Sequence, residues 1–241
     1  MGADTWTRTE KWPPSGVREV TLYMTVGSAL SPKPSDKVGV ADEYGVDFEA
    51  GTGRSNRWAT SMGGVPVIYE DRAEADKRLL VFTGEPLAKP MTITGHPQVT
   101  LHVASTHEDG AFLVYLEAVA PDGRVVYLTE GVLRAIHRRV SDDAPPYEMF
   151  GPYRTFLRKD AWPLTPGERA ELTFNLLPTS VRIEAGWRLR VALAGHDKDT
   201  FLRVPETGRP VVRVFLGADA PSCIRLPVDF AAAPDSRGDP A

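Results

Sequence analysis

The sequence predicts an all-β protein, a β-sandwich of jelly-roll type, on three observations. Apolar and polar residues alternate at period two through segment after segment, the pattern of half-buried strands whose successive side chains leave opposite faces. Twenty-one glycines and twenty-one prolines cut the chain into short runs. No convincing helical periodicity extends beyond about ten residues. Roughly ten strands with antiparallel links bury their apolar faces best as two packed sheets or a closed barrel, and the sandwich is the preferred reading.

Taken in chain order, the elements follow from that alternation. Val99, Leu101 and Val103 point one way while Thr100 and His102 point the other, which puts His102 outward. Phe112, Val114, Leu116 and Ala118 share a face, and Glu117 stands alone inside the longest apolar stretch, Ala111 to Pro121. Pro121-Asp122-Gly123-Arg124 then reads as a hairpin turn, because glycine accepts positive φ after aspartate. Ala170, Leu172, Phe174 and Leu176 alternate with polar neighbours. Leu189, Val191 and Leu193 form another strand face, as do Val212, Val214 and Leu216. Thr165-Pro166-Gly167 and Glu184-Ala185-Gly186 read as turns, and Glu108-Asp109-Gly110 precedes a strand. Short helical turns fit Pro66 to Lys77 and Pro152 to Asp160. Ser28 to Gly64 is Gly-, Ser-, Pro- and Asp-rich, and loops of that length usually serve a function or cover an interface.

Composition bounds the rest. The 241 residues are 42% hydrophobic and 25% charged, ordinary for a folded domain, with a formal charge of −4. A basic footprint for nucleic acid is missing at this level. One cysteine, Cys223, cannot form an intramolecular disulfide, so nothing argues for an oxidising compartment. The N-terminal residues lack the apolar run of a signal peptide, and no apolar stretch reaches the ~20 residues that span a bilayer. The chain is therefore expected to be soluble and cytoplasmic, with neither nucleic acid nor membrane as a partner.

The residues offer little catalytic chemistry. None of the eleven serines has glycines at −2 and +2, as a nucleophile elbow requires. Ser180 with His196-Asp197 is the one triad worth stating, but Ser180 follows Pro178-Thr179 and reads as a turn serine. The five histidines have no zinc-site spacing, so neither metal nor cofactor is expected. Gly51-Thr52-Gly53 begins like a dinucleotide loop, but Asn56 stands where its last glycine belongs. Arginine outnumbers lysine 21 to 7, with Arg134, Arg138 and Arg139 clustered. Trp6 and Trp12 lie in the proline-rich entry segment, and tryptophan there suggests docking.

The order and spacing of several stretches carry a resemblance. They are Ile93-Thr94-Gly95-His96-Pro97-Gln98-Val99-Thr100-Leu101-His102-Val103-Ala104-Ser105-Thr106, then Phe112-Leu113-Val114-Tyr115-Leu116-Glu117 with Pro121-Asp122-Gly123-Arg124, and Leu128-Thr129-Glu130-Gly131-Val132-Leu133-Arg134-Ala135. Leu164-Thr165-Pro166-Gly167-Glu168 and Pro178-Thr179-Ser180-Val181 follow, with Ala185-Gly186-Trp187-Arg188-Leu189-Arg190-Val191. Together they resemble the C-terminal domain of X-Pro dipeptidyl-peptidases and cocaine-esterase-type (CocE/NonD) serine hydrolases. The likeness covers nearly the whole chain, most strongly Leu79 to Val228. One departure is visible: the family often has Asp-x-Asp-Phe where this chain has Asp109-Gly110-Ala111-Phe112.

The resemblance implies a jelly-roll sandwich similar to galactose-binding-like domains. It implies that an α/β-hydrolase catalytic domain, in cis or in trans, is the partner and holds the Ser-Asp-His triad, while the sandwich packs on it and shapes its substrate pocket. No catalytic residue transfers to this chain, which by itself is expected to be inactive. The segment with Trp6, Trp12 and Pro13 resembles the junction between the two domains, and Met1 then reads as an internal methionine of a longer ancestor. Trp6, Trp12, Trp58, Gly63 and Gly64 are the residues expected to face the pocket or interface. The expected organisation is a junction segment and first strand over residues 1–27, a loop-rich segment packing on the sandwich over 28–78, a core sandwich over 79–230 and a disordered tail over 231–241. Two alternatives stand beside this reading: a stand-alone carbohydrate-binding module, marked by an exposed platform of Trp58, Trp162 or Trp187, and an inactive gene fragment. Self-association into a homo-oligomer is left open.

Overall fold

The computed structural model describes residues 1–2, 5–61 and 66–231, with the backbone alone at 59 and 60. Thirteen strands are found among them. They are β1 (Val17–Thr25), β2 (Ala29–Ser31), β3 (Ala41–Gly45), β4 (Leu80–Gly84), β5 (Met91–Gly95), β6 (Gln98–Ser105) and β7 (Ala111–Val119). After these come β8 (Val125–Arg134), β9 (Ala170–Asn175), β10 (Thr179–Ile183), β11 (Arg188–Ala194), β12 (Val211–Phe215) and β13 (Cys223–Asp229). Among the described residues, helical structure is confined to α1 (Arg57–Ser61) and to 3-10 turns at Ala75–Arg78, Ala135–His137 and Arg158–Asp160. The last of those 3-10 turns falls inside Pro152 to Asp160, and the first overlaps the end of Pro66 to Lys77, the two segments where the sequence suggested helical turns. Helix α1 is too short to leave a periodicity.

The strands form one folded sheet with two facing leaves. In the first leaf β6 is central. One edge of β6 pairs with β9, from Gln98↔Asn175 to Val103↔Ala170. Its other edge pairs with β13 and then with β12, and β1 continues the leaf beyond β13. The second leaf runs β4-β11-β7-β8. Strand β2 leaves β1 by a hairpin and lies parallel to β4, carrying the sheet from one leaf to the other.

Each period-two set named above lands on an inner face. Val99, Leu101 and Val103 of β6 share one apolar core with Phe112, Val114 and Leu116 of β7, and with Leu189, Val191 and Leu193 of β11. Removing this apolar surface from water is the main favourable term of the fold. The hairpin turn between β7 and β8 has Gly123 at φ 93°. Gly131 on β8 answers a different constraint: a Cβ there would stand 2.6 Å from the Asn175 carbonyl oxygen, where the chain leaves β9. Asp109 fastens the entry to β7, accepting from Arg134 Nε at 2.7 Å and from the Ile136 amide at 3.2 Å. That end is therefore held although the family's second acid is absent.

Phe82 of β4 is wholly buried between the leaves. Phe82→Ala is expected to lower unfolding stability by about 3–5 kcal/mol, the cost of lost transfer energy plus a cavity, read by urea denaturation.

Candidate functional site

Two outer faces exist, and they differ. The outer face of the second leaf is covered. Leu113 and Tyr115 of β7, Tyr127 of β8, and Ala192 and Ala194 of β11 form a second buried cluster there. Tyr69, Leu79 and Phe201 pack onto it from the segment 46–79 and from the loop after β11.

That cover is held by buried polar groups. Arg72 donates from Nε to Glu117 Oε1 at 3.2 Å, and both side chains are almost fully buried, Glu117 at 0% exposure. Asp76 lies 3.7 Å from Arg72 and accepts from Arg190 of β11 at 2.9 Å. The Arg72 guanidinium also sits 5.0 Å from the centre of the Tyr115 ring. Burial holds the Glu117 carboxyl well above the usual carboxylate range. Repulsion by the neighbouring Asp76 carboxylate adds to this, against the pull of Arg72. Asp76 Oδ1 and Glu117 Oε2 are buried without a hydrogen-bond partner among the described residues.

Beside this cluster, Asp197 staples the loop after β11 to residues 50–56. Its carboxylate accepts from the Thr52 amide and hydroxyl, from the Tyr115 hydroxyl and from the Asp199 amide. Asn56, fully buried, donates to Thr52 Oγ1, to the Gly53 carbonyl and to Thr200 Oγ1. Gly51-Thr52-Gly53 is thus a structural staple: a Cβ on Gly51 would meet Asp199 Oδ2 at 2.2 Å. Further along, Tyr69 stacks on Tyr127 at 3.7 Å and donates to Glu130 at 3.3 Å. Burial pushes the Glu130 carboxyl up.

These contacts dispose of the triad. The Ser180 hydroxyl lies 3.1 Å from Thr94 Oγ1 on the β5–β10 pair. The Asp197 carboxylate is spent on the staple, and the His196 ring packs 5.2 Å from Phe48 with Nδ1 unpartnered. Among the described residues no three His, Cys, Asp or Glu side chains converge as a metal site. No described helix is long and apolar enough to cross a membrane.

The tryptophans are dispersed. Trp6 is fully exposed, and Trp12 stands edge-on 6.4 Å from His96. Trp58 packs edge-on against Phe201 at 5.4 Å, on the covered leaf. Trp12 and Trp58 therefore lie on opposite faces of the sandwich. Gly63, Gly64 and most of the expected tail fall outside the described residues. Trp187 is half-buried with Arg124 at 5.6 Å, and Trp162 is exposed but capped by the Arg138 guanidinium at 3.8 Å. The three tryptophans Trp58, Trp162 and Trp187 thus form no common platform. Sequence reasoning missed the Arg72–Glu117–Asp76–Arg190 cluster; its signal was Glu117, a lone acid in an apolar run.

The cluster makes a signed prediction. The folded chain keeps a Glu117 proton that the unfolded chain releases near the ordinary value of 4.5. Stability conferred by that proton falls as pH rises from there towards the folded value and then levels off. Glu117→Gln should flatten this slope, by up to about 1.4 kcal/mol per pH unit, in a series of denaturation curves. Arg72→Met, which leaves Glu117 without its cation while Asp76 keeps Arg190, should cost about 3–5 kcal/mol in the same denaturation curves.

Comparison with known proteins agrees with this geometry. Residues 1–216 match the family model described as the X-Pro dipeptidyl-peptidase C-terminal non-catalytic domain. A candidate serine esterase of Mycobacterium bovis is 48% identical over 229 residues, covering 95% of this chain and 36% of its own length. The cocaine esterase of a Rhodococcus species is 25% identical over 257 residues, 95% of this chain and 40% of that protein. The chain therefore spans well under half of the relatives it matches. In structure, an aminopeptidase from a marine sediment archaeon superposes with a TM-score of 0.71 at 22% identity, covering 95% of this chain and 39% of the other. An α-amino acid ester hydrolase gives 0.71 at 22% identity, covering 94% and 40%. A CocE/NonD family hydrolase from Staphylococcus aureus gives 0.69 at 14%, covering 93% and 39%. With the family model matched over residues 1–216 and the sandwich fold beneath it, the chain belongs to the family of X-Pro dipeptidyl-peptidase C-terminal non-catalytic domains.

Proposed function

We propose that this chain is the β-sandwich module of an ester- or amide-cleaving serine hydrolase, and that it works by packing on an α/β-hydrolase domain and walling its substrate pocket. What carries the reading is the length relation: nearly all of this chain aligns to about a third of a candidate serine esterase, and to a similar share of a cocaine esterase. In the complete enzyme a serine of the other domain would form an acyl-enzyme, and this chain would contribute shape.

Exposed apolar residues linked through Trp58 and Ser55 support one docking face. Leu202 is 91% exposed and follows Phe201, the partner of Trp58. Val67 and Ile68 are also exposed, and the Ile68 amide bonds to the Ser55 carbonyl, three residues before Trp58. Apolar residues gathered at one place on a surface mark an interaction site. Gly63 and Gly64 fall in the same stretch of sequence, and Trp6 and Trp12 extend the proposal to the junction. A cytoplasmic location belongs to the same proposal, supported by Cys223 as a free buried thiol.

The purified chain is expected to hydrolyse neither p-nitrophenyl acetate nor Gly-Pro-p-nitroanilide above the level of its Ser180→Ala variant. Mixed with the separately expressed α/β-hydrolase part of a longer relative, it should form a complex in sedimentation velocity, weakened about tenfold or more by Leu202→Asp. Turnover lost on Ser180→Ala, or no association at all, would overturn the reading.

A further inference from the structure

The outer face of the first leaf is covered at one end by Trp12-Pro13 and Phe150-Gly151 and otherwise carries no covering segment among the described residues. The registers set its outward side chains in rows. One row crosses four strands as Tyr23, Cys223, Thr100 and Thr173; the next runs Thr21, Arg225, Gln98 and Asn175. His102 and Glu171 face each other as the start of a third row. Period-two alternation makes this face polar, since Val99, Leu101 and Val103 take the inner positions between these residues.

The face is concave. A depression of about 410 Å³ opens between Tyr23, His102, Glu171 and Arg225. A second, of about 270 Å³, adjoins it and runs towards His96, Phe150 and Pro13. Arg225 lines both, so the two depressions meet at this side chain along the face.

Its polar groups are held in place. Arg225 donates to Gln98 Oε1 at 2.8 Å, and Gln98 Nε2 donates to Asn175 Oδ1 at 3.0 Å. Thr100 and Thr173 share a hydrogen bond at 3.0 Å. The Tyr23 hydroxyl and the His102 ring have no protein hydrogen-bond partner among the described residues and open on the larger depression. At the far end His96 stacks on Phe150 at 4.8 Å, with Trp12 edge-on to it, so an aromatic wall closes the groove.

The chemistry narrows the occupant. Arg225 is answered by the carboxylates of Glu19 at 3.7 Å and Glu171 across the groove, so an anion gains no net attraction. Burial lowers the His102 imidazole, which leaves it a neutral donor and acceptor. The lining mixes polar and apolar surface in comparable amounts, with more apolar surface at the aromatic end, a mix that suits an amphipathic sugar ring. Planar guanidinium, amide and carboxyl groups at fixed spacing pair with adjacent hydroxyls, and an aromatic wall receives the C–H face of a ring. We propose that this groove is a binding site for a neutral oligosaccharide, with Tyr23, His102, Glu171 and Arg225 contacting its hydroxyls and His96–Phe150 stacking on a terminal sugar. The site depends neither on Trp162 nor on the docking face assigned to the hydrolase domain.

The 241-residue chain can be titrated by isothermal calorimetry with cellohexaose, xylohexaose, mannohexaose, maltohexaose and chitohexaose up to millimolar concentration. At least one should bind. His102→Ala and Glu171→Ala should each weaken that binding about tenfold without lowering the melting temperature, while Trp162→Ala leaves it unchanged. Silence from every hexasaccharide overturns the proposal, as does binding that survives both groove substitutions or a preference for an acidic sugar such as hexagalacturonate. Loss of hydrolase-domain association by Leu202→Asp would leave this titration untouched, so the two readings fail separately.

Discussion

An arginine that cannot reach water governs how this domain presents its surfaces. Arg72 is buried against Glu117, Asp76 and the ring of Tyr115, on the outer face of a sheet that would otherwise be solvated. Removing an ion from water costs several kcal/mol, so such a group persists only where its partners are equally fixed. They are: Glu117 is rigid in β7, Arg190 in β11, and Asp76 in the 3-10 turn of the covering segment. The cluster thereby ties a loop-rich segment to two central strands.

The consequence is an asymmetric sandwich. One leaf is buried on both sides, its outer face sealed by the cover. The other keeps a polar outer face with a groove. The cover carries the apolar residues Val67, Ile68 and Trp58, while Leu202 projects from the loop stapled to it by Asp197. A rigid foundation for such residues suits a surface that meets another domain, because little side-chain and loop freedom remains to be lost on association.

The triad that the sequence offered is not assembled in the fold. Ser180, His196 and Asp197 lie in one chain, yet hydrogen bonding commits Ser180 and Asp197 to separate structural tasks. Asp197 is the clearest case: four donors converge on it, and all of them hold a loop.

The sequence by itself determined the leaves. Alternation in β6, β7, β9, β11 and β12 is a local property, read from residues two apart, and so are turns such as Asp122-Gly123. His102 could be placed outward for the same reason. Tertiary structure alone decided what each outer face does. Arg72 and Glu117 are 45 residues apart, and Thr52 and Asp197 are 145 apart. No periodicity joins them, because their pairing depends on which loop folds over which sheet. Likewise Tyr23, Cys223, Thr100 and Thr173 become one row only when four strands are set in register, a long-range alignment that the pattern within each strand permits but does not specify.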